Sequence, residues 1–311
     1  MSSHSTAGAG PSPGTGLHGA AVNLQTRRRP VEAAIKGVLL TCALLSVAIT
    51  IGIVVALIEP VLHFFAEVPF SAFFATSGQF AVLPLVGGTL MVTVIALLVA
   101  VPLGLGAAMY LSEYASPRVR KVLKPTLELL AGVPSVVYGF FALMFVTPEL
   151  LQDILAIDVG FTNALAAGLV LGVMIIPTIA SLAEDALTAV PRALRQGSFA
   201  MGANRMQTTL RVVMPAALSG VAAAVVLGLS RAIGETMIVA LAAGGQKNLS
   251  ADPREGMQTM TGFIAQTAGG ENPVGSTSYN TLFAVGLLLF VMTLIINIVS
   301  IALVRRFRQV Y

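Results

Sequence analysis

The chain has 311 residues, of which 56% are hydrophobic and 10% are charged, and its formal net charge is +4. Soluble domains carry about 25% charged residues, so the composition excludes a soluble cytosolic enzyme, a disordered protein and a nucleic-acid-binding protein. The single cysteine, Cys42, and the three histidines also exclude a disulfide framework and a cysteine- or histidine-based metal cluster. We therefore predict an integral membrane protein that is solvated by membrane lipid.

The first 26 residues are rich in glycine, serine, threonine, proline and alanine, a composition that cannot form a hydrophobic core. We predict a disordered tail over residues 1–35, followed by a membrane domain over residues 36–311. Basic residues precede the first apolar run, as they do in a signal peptide. The length of the run and the lack of a small-residue cleavage site favour a retained anchor.

Six apolar runs are each about as long as the ~20 residues that a membrane-spanning helix needs. They cover residues 37–58, 83–111, 129–147, 159–183, 216–243 and 279–304. They contain glycine and proline, and they lack the alternation of apolar and polar residues that marks a membrane β-strand. The predicted fold class is an all-α integral membrane protein with six transmembrane helices.

The basic residues predict the orientation of these helices. Fifteen of the 18 lysines and arginines precede the first run, follow the last, or lie in the loops after the second and fourth runs. Acidic residues predominate in the alternate loops. Because cytoplasmic loops carry the excess of lysine and arginine, we predict that both termini are cytoplasmic.

Two loops are long, an inner one at residues 184–215 and an outer one at 244–278. The outer loop is rich in glycine, threonine, asparagine and glutamine, and we expect it to be flexible or to face a partner. The inner loop is amphipathic and is broken at Gly202, which predicts a short helix, a turn and a second short helix. Pro215 then opens the next span, where a proline loses no needed donor.

The inner loop resembles the cytoplasmic loop of ATP-binding-cassette importer permeases. The signature of that family is Glu-Ala-Ala, three residues, Gly, nine residues and Ile-x-Leu-Pro. Gly202 takes the glycine position here, and Val212, Met214 and Pro215 match the ending. In the family this loop projects a coupling helix into a cleft of the ATPase subunit.

The Glu-Ala-Ala itself is replaced by Gln196-Gly197-Ser198, so a salt bridge made by the family glutamate has no counterpart here. The resemblance implies that the ATPase-coupling residues are Gln196, Gly197, Ser198, Phe199, Gly202, Ala203, Arg205 and Pro215. The alternative is an amphipathic helix that lies on the inner membrane surface.

Two further segments, Gly132-Val-Pro-Ser-Val-Val-Tyr-Gly-Phe140 and Ser230-Arg-Ala-Ile-Gly-Glu-Thr-Met237, look like the PstC-type permease of bacterial phosphate importers. The PstA-like paired permease is similar, and the first segment favours the PstC type. The resemblance runs from about residue 35 to the C-terminus. It implies the type I importer permease fold in the bacterial cell membrane.

The same resemblance implies a set of partners. These are a PstA-like second permease as heterodimer, two PstB-like ATPase subunits and an external PstS-like phosphate-binding protein. The chain lacks the Gly-x-x-x-x-Gly-Lys-Ser/Thr loop that cradles nucleotide phosphates. We therefore expect a transport subunit that is not an enzyme and holds no cofactor, with ATP and magnesium bound by the partner ATPase.

Arg231 and Glu235 lie within the fifth apolar run, where an arginine costs about 2.5–3.5 kcal/mol to insert. Four residues apart, they are predicted to share a helix face, with Ser230 and Thr236 beside them. A guanidinium presents a planar fork to an oxyanion, which predicts an anion site that Glu235 partly neutralises. The alternative is a structural ion pair.

Ser135 and Tyr138 follow Pro134, whose kink would turn their hydroxyls towards the pathway, although ordinary packing explains them equally well. Glu128 is placed to pair with Lys124, four residues earlier. Glu113 and Tyr114 are expected at the membrane interface.

Rival functions remain open at this point. The chain could carry another oxyanion, sulfate or molybdate, within the same superfamily. A proton-driven secondary transporter would use Glu235 as its titrating group, but it predicts an internal repeat that the spans do not show. A membrane scaffold would have no need of an intramembrane Arg231.

Overall fold

The computed structural model describes residues 30–306. Residues 1–29 of the predicted disordered tail, which include the basic residues at 27–29, and Arg308 lie outside this range. Helix α1 begins at Pro30, so residues 30–35, which are predicted to belong to the tail, are helical.

Helices form the framework of the described chain. They are α1 (Pro30–Glu67), α2 (Phe70–Phe73), α3 (Leu83–Met109), α4 (Pro117–Ala131), α5 (Ser135–Phe141), α6 (Ala164–Thr188), α7 (Arg192–Ala200), α8 (Arg205–Thr208), α9 (Met214–Ala216), α10 (Leu218–Ile233), α11 (Met237–Ala242), α12 (Met260–Ala268) and α13 (Thr277–Arg306). Segments of π-helix continue α3, α5 and α8 over Tyr110–Tyr114, Ala142–Ile154 and Thr209–Val213.

The chain divides into two units, residues 1–52 and 53–311. Residues 30–52 of the first unit belong to α1, and from residue 32 onwards their side chains are exposed. The second unit contains the remaining helices and the hydrophobic core.

The core of the second unit is built on α3 and α6, which approach closely because small residues line their contact. A β-carbon at Gly172 of α6 would lie 2.8 Å from the carbonyl oxygen of Ala96 on α3. Helix α10 packs on α6 in the same way, since a β-carbon at Gly228 would lie 2.8 Å from Ile179. Such glycine contacts bring backbones together where lipid gives no hydrophobic drive for helix association.

Five helical segments of residues 30–306 are long and apolar enough to cross a membrane. They are Glu32–Glu67, Leu83–Tyr114, Ser135–Ile154, Ala164–Thr188 and Thr277–Ala302. The pair Arg205–Ala216 and Leu218–Ile233, bent by 74°, makes a sixth if it is counted as one span. The all-α membrane fold is confirmed, with five to six candidate spans.

The third and fourth spans are shifted from their predicted bounds. The third was predicted at 129–147, but its helix begins at Ser135 because Gly132, Val133 and Pro134 interrupt the chain after α4. The fourth was predicted at 159–183 and begins at Ala164, where the Asn163 side chain accepts a hydrogen bond from the amide of Ala166 and caps the helix.

The outer loop, expected to be flexible or to face a partner, contains a packed segment. Met257, Gln258 and Thr259 are buried, and Thr259 caps α12 by accepting from the amide of Gly262. The segment fits against α3 because Gly88 has no side chain: a β-carbon there would lie 2.5 Å from the carbonyl oxygen of Gln258. The polar composition of the loop does not indicate this packed segment, because its burial depends on a contact with α3, which is distant in the sequence.

Candidate functional sites

The fifth predicted span is broken where its charges lie. Helix α10 ends at Ile233, and α11 begins at Met237. Arg231 occupies the last turn of α10 and is exposed in this chain. Its Nη1 donates a hydrogen bond to Thr178 Oγ1 of α6 at 3.2 Å.

Glu235 lies in the break itself, so the predicted helix face shared with Arg231 is wrong. Its Oε1 accepts hydrogen bonds from the amides of Met237 at 3.1 Å and Ile238 at 3.3 Å, the first two amides of α11, to which Thr236 at the N-cap position offers no side-chain acceptor. Its carbonyl oxygen accepts from Thr261 Oγ1 of α12 at 2.6 Å. Within residues 30–306 the side chains of Arg231 and Glu235 form no ion pair, and Glu235 instead shapes the break.

Ser230 and Thr236 are not brought together with Arg231. Ser230 Oγ donates to Asn297 Oδ1 of α13 at 2.6 Å, so it turns to a different helix from the one that Arg231 contacts. Thr236 Oγ1 donates to the carbonyl oxygen of Gly234 at 3.4 Å, within the break. Among the residues predicted to form the anion site, Arg231 is the cation, and its side chain is exposed.

The two family-like segments meet in the structure. Gly139 of α5 faces α11 so closely that a β-carbon would lie 2.7 Å from Leu241 Cδ1 and 3.3 Å from the carbonyl oxygen of Met237. Ser135 is the first residue of α5 and is half-buried. The Tyr138 hydroxyl donates to the carbonyl oxygen of Leu130 at 3.0 Å, across the interruption between α4 and α5.

This arrangement can hold an anion at one guanidinium. Arg231 has one hydrogen bond to a neutral hydroxyl among the described residues, which leaves most of its five donors available. A guanidinium stays charged at any working pH and pairs with tetrahedral oxyanions through two parallel hydrogen bonds.

The inner loop adopts the predicted helix, turn and helix. Helix α7 ends at Ala200, Gly202 has a φ of +83°, and α8 begins at Arg205. Asn204 and Gln207 form a capping box at the start of α8. Only glycine adopts the left-handed conformation of Gly202 without strain, so the glycine in the signature has a structural reason.

The predicted coupling residues other than Pro215 lie in α7, in the turn or at the start of α8. Ser198 Oγ and Thr208 Oγ1 are 2.9 Å apart and join α7 to the start of the second helical segment. Apolar side chains project from the turn, with Met201 88% exposed and Phe199 46% exposed. Gln196, Gly197 and Arg205 are exposed, and Ala203 is half-buried. The Arg205 guanidinium lies 5.8 Å from the centre of the Tyr114 ring. Pro215, the last predicted coupling residue, lies within α9.

Arg195 has contacts that the sequence does not predict. Its guanidinium donates to Glu113 Oε1 at 2.9 Å and to the carbonyl oxygens of Leu187 at 2.7 Å and Val190 at 2.5 Å. Glu113, predicted to be interfacial, is the nearly buried partner of this ion pair. Because Glu113 and Arg195 are 82 positions apart, no local pattern indicates the contact.

Glu184 is the second unpredicted group, and it corrects the pairing predicted for Lys124. Lys124 Nζ donates to Glu184 Oε2 at 2.7 Å and to Asp185 Oδ1 at 2.6 Å, so its acidic partners lie on α6 and not at Glu128. Arg120 also pairs with the Glu184 carboxylate, which is fully buried. Hydrogen bonds to Asp185 and Glu184 raise the pKa of Lys124 above its ordinary value.

Comparison with known proteins shows the family to which the chain belongs. Residues 100–309 match the family described as binding-protein-dependent transport system inner membrane component. The chain is 41% identical over 216 residues to the probable ABC transporter permease protein YqgH of Bacillus subtilis, covering 69% of each protein. It is 38% identical over 248 residues to the phosphate transport system permease protein PstC 1 of Mycobacterium tuberculosis, covering 73% of each.

The fold is similar to solved structures of ABC importers. A chain of a bacterial alginate ABC transporter, in complex with its pentasaccharide-bound periplasmic protein, matches with a TM-score of 0.63 at 20% identity. That match covers 88% of this chain and 96% of the other. A chain of the MetNI methionine ABC transporter matches with a TM-score of 0.55 at 20% identity, covering 73% of this chain and 94% of that one.

Proposed function

Since the chain belongs to the family of binding-protein-dependent transport system inner membrane components, we propose that it is the permease subunit of an ATP-driven importer of inorganic phosphate. As a member of this family it is a multi-pass protein of the bacterial inner membrane and a transport subunit, not an enzyme. Permeases of ABC importers work with an ATPase and with a substrate-binding protein outside the membrane.

The observation that carries phosphate as the substrate is the likeness to named phosphate permeases. The PstC 1 protein of Mycobacterium tuberculosis is joined by the PstC protein of Haemophilus influenzae, at 32% identity over 246 residues. Both names specify phosphate transport. The contact between α5 and α11 brings together the two segments that look like PstC.

Arg231 is the group that we place on the pathway of the anion. It is exposed in the single chain, beside a break in the helix, where a second permease subunit would complete the channel. Its guanidinium would replace part of the hydration shell of phosphate, and a single cation binds weakly enough for release. Glu235 lies in the same break and accepts hydrogen bonds from the first two amides of α11. Ser135 and Tyr138 line the α5 side of the same break in this proposal.

The partners follow from the same assignment. A PstA-like permease would form the second half of the pathway as a heterodimer. Two PstB-like ATPases would bind ATP and magnesium, and a PstS-like protein would deliver phosphate from outside. Helices α7 and α8 would dock on an ATPase through the exposed Phe199 and Met201. This orientation puts both termini in the cytoplasm, in agreement with the distribution of basic residues.

Uptake by the assembled transporter tests the substrate. The chain, a second permease, the ATPase and the binding protein are reconstituted in vesicles, and ATP-dependent uptake of labelled phosphate is measured with excess sulfate or molybdate as competitor. We expect uptake that neither competitor reduces. Uptake that sulfate or molybdate abolishes would assign the chain to another oxyanion. Uptake that follows a proton gradient without ATP would assign it to a secondary transporter.

A further inference from the structure

Three polar contacts converge on α6, and the first of them joins it to α7. The Arg195 guanidinium on α7 binds the carbonyl oxygens of Leu187 and Val190 at and just beyond the C-terminal end of α6. Its ion pair with Glu113 adds the end of the second span to the same contact. The Arg195 side chain is 16% exposed and that of Glu113 7% exposed. Because the planar guanidinium binds two backbone carbonyl oxygens and a carboxylate at once, we expect little relative motion between α7, the end of α6 and the end of the second span.

The second contact joins α6 to α4. The Glu184 carboxylate of α6 is fully buried, and it binds Arg120 and Lys124 of α4 together with the Thr188 hydroxyl. Separating α4 from α6 would leave a buried charge without its partners, which is strongly unfavourable. The two helices are therefore expected to move as one body.

The third contact joins α6 to Arg231 of α10, through the hydrogen bond from its guanidinium to Thr178. Thr178 lies about 9 Å along the helix from Glu184, at 1.5 Å per residue. Close packing at Gly228, where Ile175 and Ile179 fill the space of a side chain, fixes α10 against the same stretch of α6.

We propose that α6 transmits the movement of α7 to α4 and to Arg231 as a single rigid member, with Glu184 and Arg195 as its positioning residues. This inference rests on the proposed function in one respect, which is that α7 docks on the ATPase. It adds a route between the docking surface and the anion pathway. The other explanation of the same contacts is that they only stabilise the folded chain.

Two neighbouring carboxylates provide a matched comparison. Glu184→Gln keeps the shape of the buried side chain but removes its charge. Asp185→Asn removes the charge of a side chain that is 60% exposed and that also pairs with Lys124. In the assembled transporter we expect Glu184→Gln to lower phosphate transported per ATP hydrolysed by about tenfold while ATP hydrolysis continues. Asp185→Asn should leave this ratio unchanged. Equal loss of transport and hydrolysis in Glu184→Gln, in proportion to lost assembly, would show a stabilising role only and overturn the proposal.

A distance measurement tests the rigid-body claim without reference to the substrate. Spin labels are placed at Val122→Cys on α4 and Ala193→Cys on α7, both exposed positions outside the predicted docking residues, in a Cys42→Ser chain within the full transporter. We expect the same distance with and without ATP in the otherwise unchanged chain, and an ATP-dependent shift or a broader distribution in Glu184→Gln.

A shift of more than about 2 Å with ATP in the otherwise unchanged chain would overturn the proposal, because α4 and α7 would then move separately. Copurification of the ATPase is measured first. A chain that fails to bind any ATPase contradicts the proposed function itself, whereas an assembled transporter with a changing distance contradicts only the role of α6.

Discussion

At the scale of single residues, Arg231 and Glu235 have separate tasks. The structure turns the Arg231 guanidinium to Thr178 and the Glu235 carboxylate to the backbone of α11. An ion pair between them would have explained both charges as a means of joining helices. Because they do not pair, the insertion cost of the arginine, about 2.5–3.5 kcal/mol, needs another reason, and anion conduction supplies one.

The capping role of Glu235 predicts how its variants behave. Glu235→Ala removes the acceptor for two amides and should destabilise the chain by about 1 kcal/mol. Glu235→Gln keeps an acceptor oxygen, so we expect it to retain most of that stability and to support uptake. Thermal unfolding of the purified transporter measures the difference. Equal destabilisation by Gln and Ala would show that the charge of Glu235, and not its acceptor oxygen, is required.

The outer loop contains a carboxylate with a depressed pKa. Hydrogen bonds from Arg254 lower the pKa of Asp252 to about 2 from the ordinary value of 3.8. Since the folded pKa is the lower one, the pair stabilises the loop above pH 3.8, and this effect is lost as the pH falls towards 2. Magnetic resonance of labelled aspartate, compared with Asp252→Asn to assign the signal, should give that midpoint. A midpoint near 3.8 would show that the pair is absent in solution.

At the scale of elements, the turn between α7 and α8 depends on one backbone conformation. Gly202 has a φ of +83°, which a β-branched residue does not adopt without strain. Gly202→Val should therefore deform the surface formed by Phe199 and Met201 and uncouple ATP hydrolysis from transport, while the external binding protein still docks. The control is Gly52→Ala, since Gly52 lies within α1, outside the predicted coupling residues, with open space around its α-carbon.

Binding-protein-stimulated ATP hydrolysis and phosphate uptake measure this coupling. We expect both to fall in Gly202→Val and to stay near the unchanged values in Gly52→Ala. Normal uptake with a normal ATPase response in Gly202→Val would remove the coupling assignment from this loop.

Elements whose cause lies in neighbouring residues could be predicted from the sequence. Gly202 marks a turn by its own chemistry, and the helices on either side were predicted correctly. Hydropathy does not indicate the helix break at Glu235, because it does not register a side chain that accepts hydrogen bonds from the first amides of the following helix. The packing of Met257 and Gln258 was missed because it depends on Gly88, far away in the chain.

The candidate site was predictable only in part for the same reason. Arg231 is visible in the sequence as a charge in an apolar run. The contacts of Glu113 with Arg195 and of Lys124 with Glu184 join residues 82 and 60 positions apart, and periodicity carries no information at such separations. Lys124 was paired with Glu128 because only neighbours on one helix are visible without the fold.

At the scale of the whole molecule, the helices and the basic residues together predict a topology. Six crossings place the inner loop at 184–215 and the outer loop at 244–278 on opposite sides of the membrane, with both termini inside. Reporter fusions in each loop and at the C-terminus should give an inside signal for the first and last and an outside signal for the second. The same signal from both loops would contradict six crossings.

The central claim is that this chain conducts phosphate past Arg231. The most direct test is ATP-dependent uptake of labelled phosphate by the reconstituted transporter with the unchanged chain, with Arg231→Lys, and with Arg211→Lys as an exposed arginine of the inner loop. We expect the unchanged chain and Arg211→Lys to take up phosphate alike. Arg231→Lys should assemble normally and lose at least about tenfold in rate, because an ammonium cannot reproduce the bidentate fork. Full uptake by Arg231→Lys would contradict the claim, and the anion pathway would then lie elsewhere in the chain.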